Sequence, residues 1–165
     1  MDEKNDNTSN FSIVLLMPDI PQNTGNIGRL CYVTGSRLVL VRPFGFRLTD
    51  AQLLRAGMDY WKKLDLLILN DMAEFYDWID KKRVFFLSSK GNQSYAQVKY
   101  ETGDVFCFGS ESAGFPEEIY QTAETSRLIK IPMISDARCL NVSTSTGIVL
   151  YEALRQTGKL ESPVF

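Results

Sequence analysis

Short, nearly continuous apolar runs alternate with amphipathic stretches along this chain, and that alternation predicts strands and helices in turn. The runs Ser12–Met17, Leu38–Val41, Leu66–Leu69, Val84–Leu87, Asp104–Phe108 and Leu128–Ile131 have the length and composition of strands buried on both faces. Between them, helices are expected from Thr24 to Thr34 and from a Thr49-Asp50 cap through Ala56, stopped by Gly57. Another should run from Asn70-Asp71 to Asp80 with Met72, Phe75, Trp78 and Ile79 on one side, and a short one should follow Pro116. The last helix carries Tyr151, Glu152 and Arg155. The pattern predicts an α/β fold: a mostly parallel sheet covered by helices on both faces. No repeat or linker interrupts it, so residues 11–165 read as a single domain behind a polar tail, 1–10, expected to be disordered.

Polar loops leave several of these strands, and open α/β proteins place ligands at such strand ends. The first loop is Pro18-Asp19-Ile20-Pro21-Gln22-Asn23-Thr24-Gly25-Asn26-Ile27-Gly28-Arg29. Its Asn and Gly residues tolerate left-handed backbone, Asn23 or Thr24 is a candidate helix cap, and Arg29 lies where it could lean back over the loop. The second is Phe108-Gly109-Ser110-Glu111-Ser112-Ala113-Gly114-Phe115-Pro116, with Gly109 where the chain leaves the sheet. A lone carboxylate such as Glu111 is better read as holding a turn than as a general base. The third runs from Pro132-Met133 to Arg138-Cys139-Leu140-Asn141-Val142-Ser143, where Asn141 or Ser143 can cap the final helix.

Composition narrows the chemistry. The chain has no histidine, which removes Ser-His-Asp and Cys-His sites and the commonest metal ligand. Its three cysteines, Cys31, Cys107 and Cys139, never form a CxxC pair; they fit a reducing cytoplasm and neither a disulfide scaffold nor a metal site. Cys139 is expected to be a small buried residue, not a reactive thiol. No apolar run is long enough to span a membrane, and the acidic N-terminus does not resemble a signal peptide. GxGxxG and GxxxxGK[ST] are both absent, which weighs against NAD and ATP. The net charge is −2, yet residues 27–63 carry seven basic residues against two acids, a local surface suited to phosphate.

Together, Ile20–Arg29, Phe108–Pro116, Ile131-Pro132-Met133, Arg138–Ser143 and Tyr151–Gln156 resemble the SPOUT class of RNA methyltransferases. Within that class the chain is most similar to the short bacterial tRNA (cytidine/uridine) wobble-position 2′-O-methyltransferases, from about Phe11 to Gly158. The resemblance implies a C-terminal deep trefoil knot, a homodimer with active sites near the interface, S-adenosylmethionine as donor, and the tRNA anticodon stem-loop as substrate. It implies a donor pocket of Leu87, Ser88, Gly109, Glu111, Ile131, Met133, Cys139 and Leu140. It implies catalytic or supporting roles for Arg29, Asn26, Glu111, Asn141 and Ser143, with no metal. Cys139 departs from the serine usual in the class.

Methyl transfer from a sulfonium releases a neutral sulfur and needs no general acid, so a site without imidazole is adequate. Arg29, whose guanidinium is a poor base, would stabilise the developing alkoxide and hold the adjacent phosphate. Competing readings are an rRNA ribose 2′-O-methyltransferase, a catalytically silent RNA-binding protein of the same fold, and a flavodoxin-like nucleotide module.

Overall fold

The structure, a computed structural model, describes residues 9–49 and 60–161. Strands β1 (Ser12–Leu16), β2 (Arg37–Val41), β3 (Leu66–Leu69), β4 (Val84–Leu87), β5 (Gln93–Ser94), β6 (Val105–Phe108) and β7 (Leu128–Lys130) form one parallel sheet, ordered β3-β2-β1-β6-β4-β7-β5. The helices are α1 (Pro21–Thr34), α2 (Met72–Ile79), α3 (Glu117–Thr122) and α4 (Val142–Gln156). The helix expected over 50–56 and most of the expected disordered tail lie outside the described residues.

Side chains alternate across the sheet, so each strand feeds two cores. Ile13, Leu15, Leu38, Leu40, Phe85, Phe106, Phe108 and Ile129 pack beneath α1 and α4, meeting Ile27, Cys31, Val149, Leu150 and Leu154. Val14, Leu16, Val39, Val41, Phe86, Val105, Cys107 and Leu128 pack beneath α2 and α3, meeting Phe75 and Ile119. Both faces are buried, which is why these strands read as unbroken apolar runs.

The structure changes two local expectations. α1 begins at Pro21, not Thr24, and neither Asn23 nor Thr24 caps it: the N-cap is Ile20, which makes no side-chain cap bond. Proline supplies helical φ at the first position and needs no hydrogen-bonded N–H, so the helix starts there. β5 lies in a stretch expected to be only a hydrophilic connection. It pairs Gln93 with Ile129 and Ser94 with Lys130 through backbone groups, which hydropathy does not register. The other boundaries agree within about a residue: Asp71 caps α2 by accepting from Glu74 N at 2.9 Å, and Asn141 caps α4.

Because all strands are parallel, their C-terminal ends share one edge. Leu15, Phe108, Leu87 and Ile129 stand side by side across β1, β6, β4 and β7 as the last row of that edge. The three motif-bearing loops leave from this row, together with the connection after Leu87. At Met17 the backbone turns out of the sheet with φ 48°, a left-handed conformation costly for a non-glycine residue.

β7 lies between β4 and β5, and β5 belongs to the stretch of chain joining β4 to β6. α4 then returns against α1, and Gln156 is tied to that same stretch: its Nε2 donates to Val98 O and its Oε1 accepts from Tyr100 N, both at 3.0 Å. Among the described residues no helix is long and apolar enough to cross a membrane.

Phe106 is fully buried and meets the rings of Phe11, Phe85 and Tyr100 at centroid distances of 5.7, 6.0 and 5.3 Å. Phe106→Ala should lower the unfolding free energy by about 3–5 kcal/mol, measured by urea denaturation.

Candidate active site

The loops at the sheet edge enclose a cavity of about 480 Å³, within the range of small-molecule sites. Leu87, Phe108, Ile131, Met133 and Leu140 supply apolar walls; Ser88, Lys90, Glu111 and Asn141 supply polar groups. Met133 and Leu140 remain 38% and 40% exposed although both are large and apolar. Such walls fit a flat apolar ring system better than a solvated ion.

A chain of hydrogen bonds joins the three loops. Glu111 Oε2 accepts from Asp19 N at 2.9 Å, and its Oε1 accepts from Asn23 Nδ2 at 3.2 Å. Asn23 in turn accepts, through Oδ1, from Asn141 Nδ2 at 2.9 Å. Asn141 Oδ1 accepts from Ser143 N at 2.8 Å and Ser143 Oγ at 2.6 Å, capping α4. Asn23 is buried, so its amide depends on these partners. Glu111 therefore binds loop amides, the role its isolation suggested.

Asp19 completes the join. It accepts from Glu111 N and Ser110 Oγ, both at 3.2 Å, and from Ser112 Oγ. The Glu111 side chain first, then the Ser112 hydroxyl, hold the Asp19 carboxyl well below the usual carboxylate range; Ser110 and the Glu111 amide add to this, while partial desolvation opposes it. The second loop is tight where it leaves the sheet: a Cβ at Gly109 would lie 2.4 Å from the Gly114 carbonyl carbon, so only glycine fits. Opposite, Tyr120 Oη lies 3.0 Å from Ser88 Oγ, and Lys90 Nζ stands 5.1 Å from the Tyr120 ring centroid.

All eight positions assigned to a donor pocket line this cavity: Leu87, Ser88, Gly109, Glu111, Ile131, Met133, Cys139 and Leu140. Cys139 is exposed on the cavity wall, which corrects its expected burial: residues 131–141 form an irregular loop that no further element covers among the described residues. Of the residues given catalytic or supporting roles, Glu111 and Asn141 line the cavity and Ser143 is bonded to Asn141. Asn26 and Arg29 are not among its lining residues. Both lie on α1 and are exposed, because the helix starts early and carries them away from the loop. Arg29 is eight residues into α1, about 12 Å along its axis. Its Cζ lies 5.0 Å from the ring centroid of Tyr60, whose Oη donates to Gly25 O in the first loop at 2.6 Å.

Two residues at the junction were missed as site residues: Asp19 appeared only within the quoted first motif, and Asn23 was read as a candidate helix cap. Their partners lie about 90 to 120 positions away, so no local spacing reports them. Among the described residues no group of three or more His, Cys, Asp or Glu side chains could hold a metal ion. The site offers binding surfaces and oriented amides.

Residues 10–151 match the SpoU rRNA Methylase family. The chain is similar to the tRNA (cytidine(34)-2′-O)-methyltransferase of Methylovorus glucosotrophus strain SIP3-4, with 43% identity over 88% of this chain and 95% of that one. A structure solved for insight into the 2-OH methylation of C/U34 on tRNA superposes with a TM-score of 0.82 at 39% identity, covering 88% of this chain and 95% of that one. An AdoMet-bound rRNA methyltransferase from Sinorhizobium meliloti superposes with a TM-score of 0.79 at 25% identity, covering 91% of this chain and 57% of that one.

The Asp19 junction predicts a pH signature. A carboxyl with a depressed folded-state pKa contributes its stability fully above its unfolded value of about 4, and loses it as pH falls through the folded value. The stability difference between the protein and Asp19→Asn should therefore be constant from pH 5 upward and shrink below about pH 4, read from urea unfolding across pH.

Proposed function

The chain belongs to the SpoU rRNA methylase family, and we propose that it is a tRNA (cytidine/uridine) 2′-O-methyltransferase, transferring a methyl group from S-adenosylmethionine to the ribose of the wobble nucleotide. One observation carries this reading: the three loops that bear the family-like motifs converge on a single cavity. The strong similarity to an enzyme named for cytidine 34, over nearly its whole length, favours tRNA over the rRNA alternative. Residues 11–165 act as one domain, in the cytoplasm.

The cavity fits the donor. Leu87, Ile131, Met133 and Leu140 would enclose the adenine, while backbone groups of the loops at Ser88, Gly109, Glu111 and Cys139 would read its polar edges and the ribose. When bound, S-adenosylmethionine supplies an electrophilic methyl group on a sulfonium whose sulfur leaves neutral. The chain's own task is then to exclude water, orient the two reactants, and manage the proton of the 2′-hydroxyl. Asn141 and Ser143 order the third loop at the start of α4, and Glu111 locks the second loop to the first. Asn26 supports the first loop.

Arg29 stabilises the developing 2′-alkoxide and neutralises the adjacent phosphate, which can itself accept the proton. Its place on α1, away from this chain's own donor cavity, supports a homodimer in which the site forms near the interface. Tyr32, Val33, Ile134 and Tyr151 are large apolar or aromatic residues left exposed on α1, the third loop and α4, a surface suited to a second copy. The C-terminal segment passes through the β4–β6 connection as a trefoil knot. The position of β7 between β4 and β5 and the Gln156 tether to Val98 and Tyr100 support this path.

Labelled donor incubated with undermodified total tRNA should deposit its methyl group in the ribose of the anticodon's first nucleotide. Label elsewhere, or none, contradicts the assignment. Arg29→Ala should lower kcat by at least a hundredfold and leave the calorimetric Kd for S-adenosylmethionine within about twofold. Cys139→Ser should also leave that Kd within about twofold, as a backbone contact at this position requires.

A further inference from the structure

The loop leaving β2, Arg42-Pro43-Phe44-Gly45-Phe46-Arg47, is used neither by the core strands nor by the donor cavity. The rings of Phe44 and Phe46 stack at 5.7 Å between centroids with an interplanar angle of 15°. Arg42 Cζ lies 4.9 Å from the Phe44 ring centroid. Phe44 leans on the α1/α4 core; Phe46 stands outside both main cores and is only half-buried. Arg42 and Arg47 are exposed, and the loop contains no carboxylate.

This array is fastened to the active site. Gly45 N donates to Pro18 O at 2.9 Å, and Gly45 packs so closely on Asp19 that an added Cβ would lie 2.6 Å from Asp19 Cβ. Arg42 N donates to Leu69 O at 3.0 Å, holding the loop at its start. The nearby Asp19 carboxylate is turned to Ser110, Ser112 and the Glu111 amide, so it is engaged on the side of the second loop. Two stacked rings with the Arg42 guanidinium over one of them and Arg47 next in the loop, held beside the first site loop, have the chemistry to take an unpaired nucleobase and its phosphate.

We propose that the Arg42–Phe44–Phe46–Arg47 loop is a base-stacking site for a single-stranded nucleotide adjoining the one whose ribose is methylated. The inference rests on the tRNA reading above and adds to it a physical means of holding the anticodon loop splayed at the reactive position. Phe46 supplies the ring face, and Arg42 and Arg47 supply charge to the flanking phosphates. These residues position the substrate and touch no reacting atom.

The experiment compares binding and methylation of a synthetic anticodon stem-loop with versions carrying one abasic nucleotide on either side of the wobble position. For the wild-type protein, one abasic substitution should weaken binding about tenfold. Phe46→Leu should weaken the intact stem-loop by a similar factor and be indifferent to that abasic substitution, with kcat and donor Kd unchanged; Phe46→Tyr should restore discrimination. Arg42→Met should reduce the salt dependence of binding by about one phosphate contact. If wild type and Phe46→Leu lose the same factor at every abasic position, or if Phe46→Leu weakens donor binding, the proposal is overturned. Abasic discrimination without any wobble-ribose methylation would retain the stacking site and overturn the assigned reaction instead.

Discussion

The pocket depends on one buried amide. Asn23, on the first turn of α1, receives the Glu111 carboxylate on one side and the Asn141 amide on the other, and through them joins loops from three separate strands. Each loop alone is irregular backbone with little packing behind it. An irregular loop holds a precise shape only if its polar groups are satisfied, and here much of that satisfaction comes from the other two loops. The alignment of Leu15, Phe108, Leu87 and Ile129 brings the loops to one edge; the Glu111–Asn23–Asn141 chain gives that edge its shape.

This arrangement suits a reaction that demands little acid–base chemistry. The Glu111 carboxylate is committed to loop amides, and the chain has no imidazole. What remains is a largely apolar cavity bounded by three joined loops for a donor that carries its own leaving group, with Arg29 on α1 as the cation proposed to meet the developing negative charge. Oriented binding of two reactants accounts for a large part of the barrier reduction in such transfers. The protein's contribution lies in geometry, and the geometry lies in how the three loops are joined.

Much of this was legible in the chain. Runs such as SIVLL and VFFL are apolar at every position because the sheet is covered on both faces, so their strand character and the fold class followed directly. That the motif residues would meet around one cavity was legible through motif resemblance, since the motifs sit at strand ends. Three features were not. β5 is two polar residues held by backbone pairing, so it carries no hydropathy signal. The start of α1 was displaced because Asn23, a good cap by type, serves a long-range network instead. Cys139 looked like a small interior residue, but its loop forms a cavity wall that nothing else in the described chain covers.

The claim that these loops act as one unit is tested most directly by a double-mutant cycle on donor affinity. Glu111→Gln and Asn141→Ala break the chain at opposite ends without touching each other, and calorimetric titration with S-adenosylmethionine measures each variant and the pair. A single coupled network predicts strong non-additivity: the double variant should lose little more affinity than the weaker-binding single one. Losses that simply add would show that the three loops hold their shapes independently, and would contradict this account.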